Sequence, residues 1–296
     1  MNETPQVAAV VVNWNLWPDT AACLSSLLEG TVPVHLIVVD NGSTDESVRE
    51  LGARFGQAID WVVLPENRLY TAGANAGLRR AMELDVEWVL LLNNDTLAAP
   101  DLLVELLSVG RADPRIGIVV PFIYPLGEAS PQWILGTRWT RWSPLPRSLW
   151  AGSFSTEGPI EVDHVTGCAM LVRRRLIQAI GLLDERYVMY YEDADYCERA
   201  RAAGYRIVIA PRALVWHRGA GSSRYLTTVT CYHHTRSRWR FYRQHRGPWP
   251  RFLTLAAVLV QEVGRALRDW ARGEHALARA RWRGLRQAPM GDVEGR

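Results

Sequence analysis

Short apolar runs alternate with amphipathic segments over the first hundred residues of the chain. The apolar runs are rich in β-branched residues and end at polar turn residues, which is typical of strands buried in a parallel sheet. The segments between them carry alanine and leucine at helical spacing. We predict strands at 7–12, 34–39, 61–64 and 87–92. Strand, helix and strand at this spacing predict right-handed βαβ units and a doubly wound α/β half that binds a nucleotide.

The pattern changes in the second half of the chain. Residues 121–159 contain six prolines and four tryptophans without a clear periodicity, and we predict a functional loop there. Strand patterns then return at 162–172, 205–209 and 213–216. Helical patterns occupy 173–180 and the stretch that runs from Glu192 to Gly204.

Composition limits the size and the chemistry of the protein. The chain has 296 residues, 48% of them hydrophobic, which is enough for one large α/β domain with an appendage. All 34 basic residues are arginine, and the absence of lysine excludes Schiff-base chemistry and a Walker-type phosphate loop. The four cysteines have no CxxC spacing, so we expect reduced cytosolic thiols and neither a zinc site nor a disulfide framework.

Positive charge is concentrated at the C-terminal end. The chain carries +3 in total, but 218–296 holds 16 arginines against 5 acidic residues, which leaves −8 on the first 217 residues. In 222–296 arginines recur at helical spacing between aromatic and apolar residues, which predicts a basic amphipathic helix pair. Such a pair suits an anionic membrane surface, and packing on the α/β domain or homodimerisation explains the pattern equally well. The apolar stretch 252–260 is too short to span a bilayer, and no nucleic-acid-binding motif accompanies the arginines.

Polar side chains follow the predicted strands at their carboxyl ends. Asp40 and Asp95 follow the second and fourth strands, with Asn13 and Asn67 at comparable edges. Ligands of open α/β sheets bind at this edge, where a carboxylate can hold a divalent cation or accept ribose hydroxyls. The alternatives are a helix N-cap for Asp95 and simple turn formation for Asp40. No GxGxxG follows the first strand, which argues against a dinucleotide cofactor and a dehydrogenase.

A second group of acidic residues begins the predicted helix near residue 192. Glu192, Asp193 and Asp195 follow an aromatic patch. The helix dipole favours ionised carboxylates in a first turn, which suits a general base, and helix capping is the alternative role. His217 ends a later strand, where a lone histidine is more often structural than a ligand.

Five motifs in this order resemble inverting family-2 glycosyltransferases of the GT-A fold, especially the rhamnosyltransferase-like branch. The motifs are VVVNWN, LIVVDNGSTD, LLLNND, YYEDADYCERARAAGYRI and VWH, within about residues 7–221. The resemblance implies a Rossmann-like mixed sheet with helices on both faces. It implies a GT-A catalytic domain over 1–221, divided into a nucleotide-binding half (1–100) and an acceptor and catalytic half (101–221). A helical appendage over 222–296 completes the expected chain.

The resemblance also implies an activity and its partners. We expect a sugar, with rhamnose as the candidate, to move from a dTDP- or UDP-sugar to a glycan or lipid-linked acceptor in cell-surface polysaccharide synthesis. The implied reaction is a single in-line displacement with inversion at the anomeric carbon. A cytoplasmic enzyme, peripheral at the inner face of the cell membrane, would fit this role.

The family's site positions can be carried over residue by residue. The implied donor-binding residues are Asn13, Asp40, Asn41, Gly42, Ser43, Asn67, Gly73, Asn75, Asn93 and Asn94. Asp95 and His217 are implied as ligands of Mg²⁺ or Mn²⁺, and Asp193 as the catalytic base, with Glu192 as the second choice. The family's DxD element reads Asn93–Asp95 here, so its first acid is missing. That departure keeps open a catalytically silent protein that binds sugar nucleotides or serves as a membrane scaffold.

Overall fold

The computed structural model describes residues 6–127, 134–150, 158–218, 227–245 and 247–288. Its first half contains every strand that the apolar runs predicted. The elements are β1 (Val7–Asn13), α1 (Trp17–Leu28), β2 (Val34–Asn41), α2 (Ser47–Phe55), β3 (Ile59–Leu64), α3 (Leu69–Met82) and β4 (Trp88–Asn93). Strands β1 to β4 are parallel in the order β3-β2-β1-β4, as βαβ units require.

The second half adds strands of both directions. Its elements are β5 (Thr96–Ala98), α4 (Leu102–Ala112), β6 (Ile116–Pro125), β7 (Ile134–Thr140), β8 (Ser143–Trp150), β9 (Ile160–Val162), β10 (His164–Val165), β11 (Ala169–Arg173), α5 (Arg174–Ile180), α6 (Glu192–Ala202) and β12 (Arg206–His217). The main sheet continues β4-β11-β6-β12-β5, and β11 is antiparallel to both of its neighbours. The predicted mixed α/β sheet with helices on both faces is confirmed.

The sheet is buried on both faces, which explains the continuous apolar runs. Ala9 and Val11 of β1 pack on one face beneath α1, α2 and α4. Ala8 and Val10 pack on the other face beneath α3, α5 and α6. Alternate side chains of each strand therefore enter different cores, so a polar position inside the strand would be costly.

The prediction of an irregular loop over 121–159 is wrong for much of that segment. β6 extends to Pro125, and β7 and β8 form an antiparallel hairpin that joins β10 in a second sheet of order β10-β7-β8. Pro144 and Pro146 lie in β8, which is an edge strand, where a missing backbone N–H is tolerated. Residues 128–133 and 151–157 of the predicted loop lie outside the described residues.

Three other predicted strands had wrong boundaries. The predicted strand over 162–172 is divided into β9, β10 and β11. The predicted strands 205–209 and 213–216 are one strand, β12, whose register shifts between Ala210 and Leu214. Pro211 lies in that shift and has no N–H to donate to a ladder, which gave the sequence the appearance of a break.

The described part of the C-terminal region is helical, as the arginine spacing predicted, but it contains three helices where a pair was predicted. It consists of α7 (Thr228–Gln244), α8 (Arg251–Ala271) and α9 (His275–Gln287). Phe241, Tyr242 and Val258 of this region share a buried cluster with Tyr187, which precedes α6. Among the described residues no helix is long and apolar enough to cross a membrane. The predicted boundary at residue 221 lies outside the described residues.

Candidate active site

The carboxyl ends of β1 and β2 form one hydrogen-bonded polar rim. Asn13 donates from Nδ2 to Asp40 Oδ1 and to Ser43 Oγ, both over 3.0 Å. The Ser43 backbone N–H donates to the other oxygen of Asp40 over 3.1 Å. Asn13 and Asp40 are almost completely buried, so their orientation is fixed before any ligand binds.

A second group of predicted residues organises the turns beside this rim. Asn41 donates from Nδ2 to Asn67 Oδ1 over 3.1 Å and accepts the backbone N–H of Arg68 over 3.0 Å. Gly42 has φ of +68°, and a Cβ there would lie 2.3 Å from the backbone carbon of Glu66. Only glycine combines that conformation with that close approach.

Two positions of α3 that the resemblance implied have different surroundings. A Cβ on Gly73 would come within 3.0 Å of Val12 and 3.3 Å of the Asn41 amide, so this glycine lets α3 approach the rim. Asn75 is buried and donates to Leu183 O over 2.9 Å and to Glu185 over 3.0 Å. The structure thus brings Gly73, and not the Asn75 side chain, together with the rim residues.

The end of β4 brings Asn93, Asn94 and Asp95 to the neighbouring edge. Asp95 Oδ1 lies 3.0 Å from His217 Nε2, and Asn93 Nδ2 lies 3.5 Å from the same ring nitrogen. Strand β5 makes this possible because it pairs antiparallel with the last residues of β12. The two residues that the resemblance implied as metal ligands are therefore neighbours, although 122 positions separate them in the chain.

Asp193 and the DxD-like element are linked through one dipeptide. The backbone N–H of Gly167 donates to Asp193 Oδ2 over 2.8 Å, and the carbonyl of Cys168 accepts the N–H of Asn93 over 2.9 Å. Consecutive residues in front of β11 thus hold the predicted base on one side and the predicted metal element on the other. The dipeptide therefore connects the predicted base with the predicted metal element.

The two carboxyls at the start of α6 have different electrostatic surroundings. Burial raises the pKa of Glu192 well above its ordinary value, and the adjacent Asp193 charge raises it further. Burial also raises the pKa of Asp193, but backbone N–H groups of Ala194 and Gly167 bind its carboxylate and lower it. Within the described residues, Glu192 Oε2 is buried without a hydrogen-bond partner. Of the pair, Asp193 is consequently the one that ionises more readily.

Asp195, the third acid of this turn, has a structural role. It is completely buried and binds Arg199 over 2.8 Å and His245 over 2.7 Å. Its side chain thereby joins α6 to the end of α7.

Three features of the site escaped the sequence analysis. Thr20 of α1 donates to Asn13 Oδ1 over 2.6 Å and accepts from Asn94 over 2.9 Å, so it bridges the rim and the metal element. Tyr190 and Tyr191 adopt left-handed φ values of 65° and 68° directly before the two acids. The third feature is the Gly167–Cys168 dipeptide. A tyrosine pair in this backbone conformation is rare, and no local pattern predicted it.

The side chains that the resemblance implied as metal ligands would fit a cation that also takes ligands from its substrate. In the part of the chain that the structure describes, no cluster of three or more His, Cys, Asp and Glu residues could hold a metal ion. Asp95 and His217 supply one carboxylate and one imidazole at a shared edge. A divalent cation there would complete its coordination with diphosphate and water oxygens, as Mg²⁺ commonly does.

Solved structures show the fold to which the chain belongs. The mannosyltransferase PcManGT from Pyrobaculum calidifontis, in complex with GDP-Man and Mn²⁺, superposes with a TM-score of 0.61 at 16% identity and covers 99% of this chain and 89% of that chain. Staphylococcus aureus TarS 1–349, in complex with UDP-GlcNAc, gives 0.58 at 16% identity over 86% of this chain and 71% of that chain. The fold is that of the GT-A glycosyltransferases.

Sequence comparison gives the family. The model of "Glycosyltransferase like family 2" matches residues 5–249, and the chain belongs to this family. The N-acetylglucosaminyl-diphospho-decaprenol L-rhamnosyltransferase of Mycobacterium tuberculosis is 30% identical over 99% of both chains. The low-salt glycan biosynthesis hexosyltransferase Agl10 of Haloferax volcanii is 29% identical over 66% of this chain and 61% of that protein. The protein is therefore a glycosyltransferase, which confirms the resemblance.

Proposed function

We propose that the protein is an inverting, metal-dependent glycosyltransferase that moves a sugar, with rhamnose as the candidate, to a lipid-linked glycan acceptor in cell-surface polysaccharide synthesis. The relative that it resembles over its full length is named as a rhamnosyltransferase of N-acetylglucosaminyl-diphospho-decaprenol. The observation that carries the proposal is the Gly167–Cys168 dipeptide, which holds Asp193 beside the Asn93–Asp95 element.

The donor would be a nucleoside diphosphate sugar, with dTDP or UDP as the nucleotide. Asn13 holds the Asp40 carboxylate in place, and the Asp40 oxygens would accept hydrogen bonds from the nucleoside. Asp95 and His217 would hold Mg²⁺ or Mn²⁺. When bound, this cation stabilises negative charge on the departing diphosphate.

Asp193 would act on the acceptor. The acceptor hydroxyl oxygen forms the new bond to the anomeric carbon while the bond from that carbon to the diphosphate oxygen breaks, which inverts the configuration. Asp193 takes the hydroxyl proton. Glu192 ionises less readily than Asp193, because burial and its charged neighbour raise its pKa, so it is the weaker candidate for the base.

Replacing Asp193 with asparagine tests this assignment. We expect Asp193→Asn to lower kcat by roughly 10² to 10⁴ while donor binding is retained, because the amide cannot accept a proton. Asp85→Asn is the matched control, since Asp85 is exposed and outside the site. Turnover is measured with a panel of nucleotide sugars, and donor binding by thermal shift with and without Mg²⁺ or Mn²⁺.

The same experiment separates an active enzyme from a catalytically silent binding protein. The missing first acid of the DxD element, at Asn93, favours the silent protein. A silent protein would show donor-dependent stabilisation but no turnover of any donor, in the wild type as in the variant. Asp95→Ala is expected to lose the metal-dependent part of the thermal shift, in contrast to Asp193→Asn. Wild-type turnover in Asp193→Asn would refute its role as the base.

A further inference from the structure

The outward face of α8 carries a continuous stripe of exposed apolar side chains. Phe252, Val260, Leu267 and Trp270 are each more than half exposed, and at 100° per residue they fall on one side of the helix. A surface helix normally turns its apolar stripe to the core, with its charges outside. In α8 the arrangement is inverted, since the fully buried face includes Glu262.

Helix α9 widens this apolar surface. Trp282 of α9 is 43% exposed and lines a groove between the two helices together with Leu267 and Trp270. Tryptophan at such a position has a large apolar body and one polar N–H, which suits the boundary between lipid and water. We call the stripe and this groove together the α8–α9 apolar face.

The surroundings of the α8–α9 apolar face are strongly basic. The acidic side chains Glu262 and Asp269 are buried against arginines inside the helical region. Glu274 is the one exposed acid within 251–288, a range that the structure describes completely. Arg279 of α9 lines the groove, and Arg283 and Arg286 of the same helix are exposed.

We infer that the α8–α9 apolar face binds the surface of an anionic lipid bilayer. Exposed apolar area adjoining arginine is the composition of helices that lie in a membrane interface, where the side chains enter the headgroup region and the guanidinium groups bind anionic lipids. The helices would lie flat on the bilayer. The inference deepens the proposed function, because a lipid-linked acceptor is presented at a membrane.

Charge complementarity favours lipid over a second copy of this chain. A symmetric dimer places the same patch of both subunits face to face, which would bring two sets of exposed arginines together. Like charges opposite one another weaken such an interface. An anionic bilayer neutralises the same arginines while it covers the apolar side chains.

Vesicle sedimentation of the full chain tests the inference without any turnover. We expect the wild type to bind vesicles of phosphatidylglycerol and phosphatidylcholine at low salt, and to bind pure phosphatidylcholine much less. The double variant Val260→Glu/Leu267→Glu should bind the anionic vesicles at least about tenfold more weakly, because it places two charges in the interface. Val63→Glu is the matched control, since Val63 is 59% exposed on β3, in the nucleotide-binding half.

Each outcome decides for or against the lipid surface. Thermal unfolding and turnover with a lipid-free acceptor are expected to stay at wild-type values in the double variant, because both positions are exposed. Equal vesicle binding by the wild type and the double variant would overturn the inference. A wild-type protein that is dimeric in sedimentation velocity, with a double variant that is monomeric, would also overturn the inference. A second copy of the chain would then cover the α8–α9 apolar face. Vesicle binding by a protein without turnover would leave this inference standing and contradict only the proposed function.

Discussion

Glu192 and Asp193 carry adjacent carboxyls in one buried turn, yet their different surroundings make them ionise to different extents. Backbone N–H groups satisfy Asp193, whereas Glu192 is buried with one oxygen that has no partner among the described residues. Sequence alone favoured Asp193 only through the family motif. The structure adds a physical reason, because hydrogen bonds to a carboxylate lower its pKa and favour the ionised form, which is the form that can take up a proton.

The raised pKa of Glu192 predicts a pH dependence of stability. A carboxyl whose pKa is raised on folding stabilises the protein fully below its unfolded value of 4.5, and this contribution is lost as the pH rises through the folded value. The melting temperature should therefore decline above pH 4.5 more steeply in the wild type than in Glu192→Gln. Thermal unfolding from about pH 5 to about pH 8 measures both slopes. Glu66→Gln, at an exposed position, should keep the wild-type slope, and parallel slopes for Glu192→Gln would contradict the prediction.

Gly42 and Gly52 give a matched pair for the donor rim. Gly42→Ala should lower the melting temperature and raise the donor KM, because its Cβ would meet the backbone of Glu66 at a φ of +68°. Gly52 lies within α2 with nothing close to its Cβ position, so Gly52→Ala should stabilise the protein by about 0.5 to 1 kcal/mol. Denaturant unfolding and donor kinetics measure both variants. Equal effects of the two substitutions on stability and on the donor KM would contradict the prediction, because the donor rim would then tolerate a displaced turn at Gly42.

At the scale of elements, prediction succeeded where a strand is buried on both faces. The runs at β1, β2 and β4 are continuous because alternate residues enter two different cores. Prediction failed at β8 and β12, where prolines lie in an edge strand and in a register shift. A proline interrupts a strand where a neighbouring strand would need a hydrogen bond from its backbone N–H. Which strand lies beside the proline is determined only by the tertiary structure.

The buried ion-pair cluster of the helical region predicts that one conservative substitution lowers the free energy of unfolding strongly. Glu262 is fully buried and binds Arg238 over 2.5 Å and Arg265 over 2.8 Å. Glu262→Gln should lower the free energy of unfolding by about 3 to 5 kcal/mol, because it leaves the buried Arg238 charge uncompensated. Glu46→Gln removes an exposed partner of Arg49 and should cost less than about 1 kcal/mol. Urea unfolding distinguishes the two, and similar midpoints would refute the buried-charge argument.

At the scale of the molecule, the helical region and the catalytic region share contacts that the sequence did not reveal. Ser237 donates to Met189 O over 3.0 Å, and the rings of Tyr190 and Tyr191 pack on His234 of α7. Helix α7 therefore supports the strained turn in front of Asp193. These pairings join residues some fifty positions apart, so no local periodicity announces them.

Deletion of residues 222–296 is expected to damage the active site as well as to remove the α8–α9 apolar face. The truncation would expose Tyr187 and leave buried Asp195 without its partner His245. We expect a lower melting temperature and loss of turnover even with a lipid-free acceptor. Circular dichroism and a soluble-acceptor assay check this prediction. A truncated protein that melts and turns over like the wild type would show instead that 1–221 is an independent domain.

The strand-end residues of the donor rim could be predicted because each follows a readable apolar run. The dipeptide that positions Asp193 beside the metal element could not, since Gly167 and Cys168 gain their meaning only from partners 26 and 75 positions away. The dipeptide itself contributes only backbone atoms to these two hydrogen bonds, with Asp193 Oδ2 and the N–H of Asn93 as their partners. A displacement of this dipeptide would therefore shift the proposed base and the proposed metal element together.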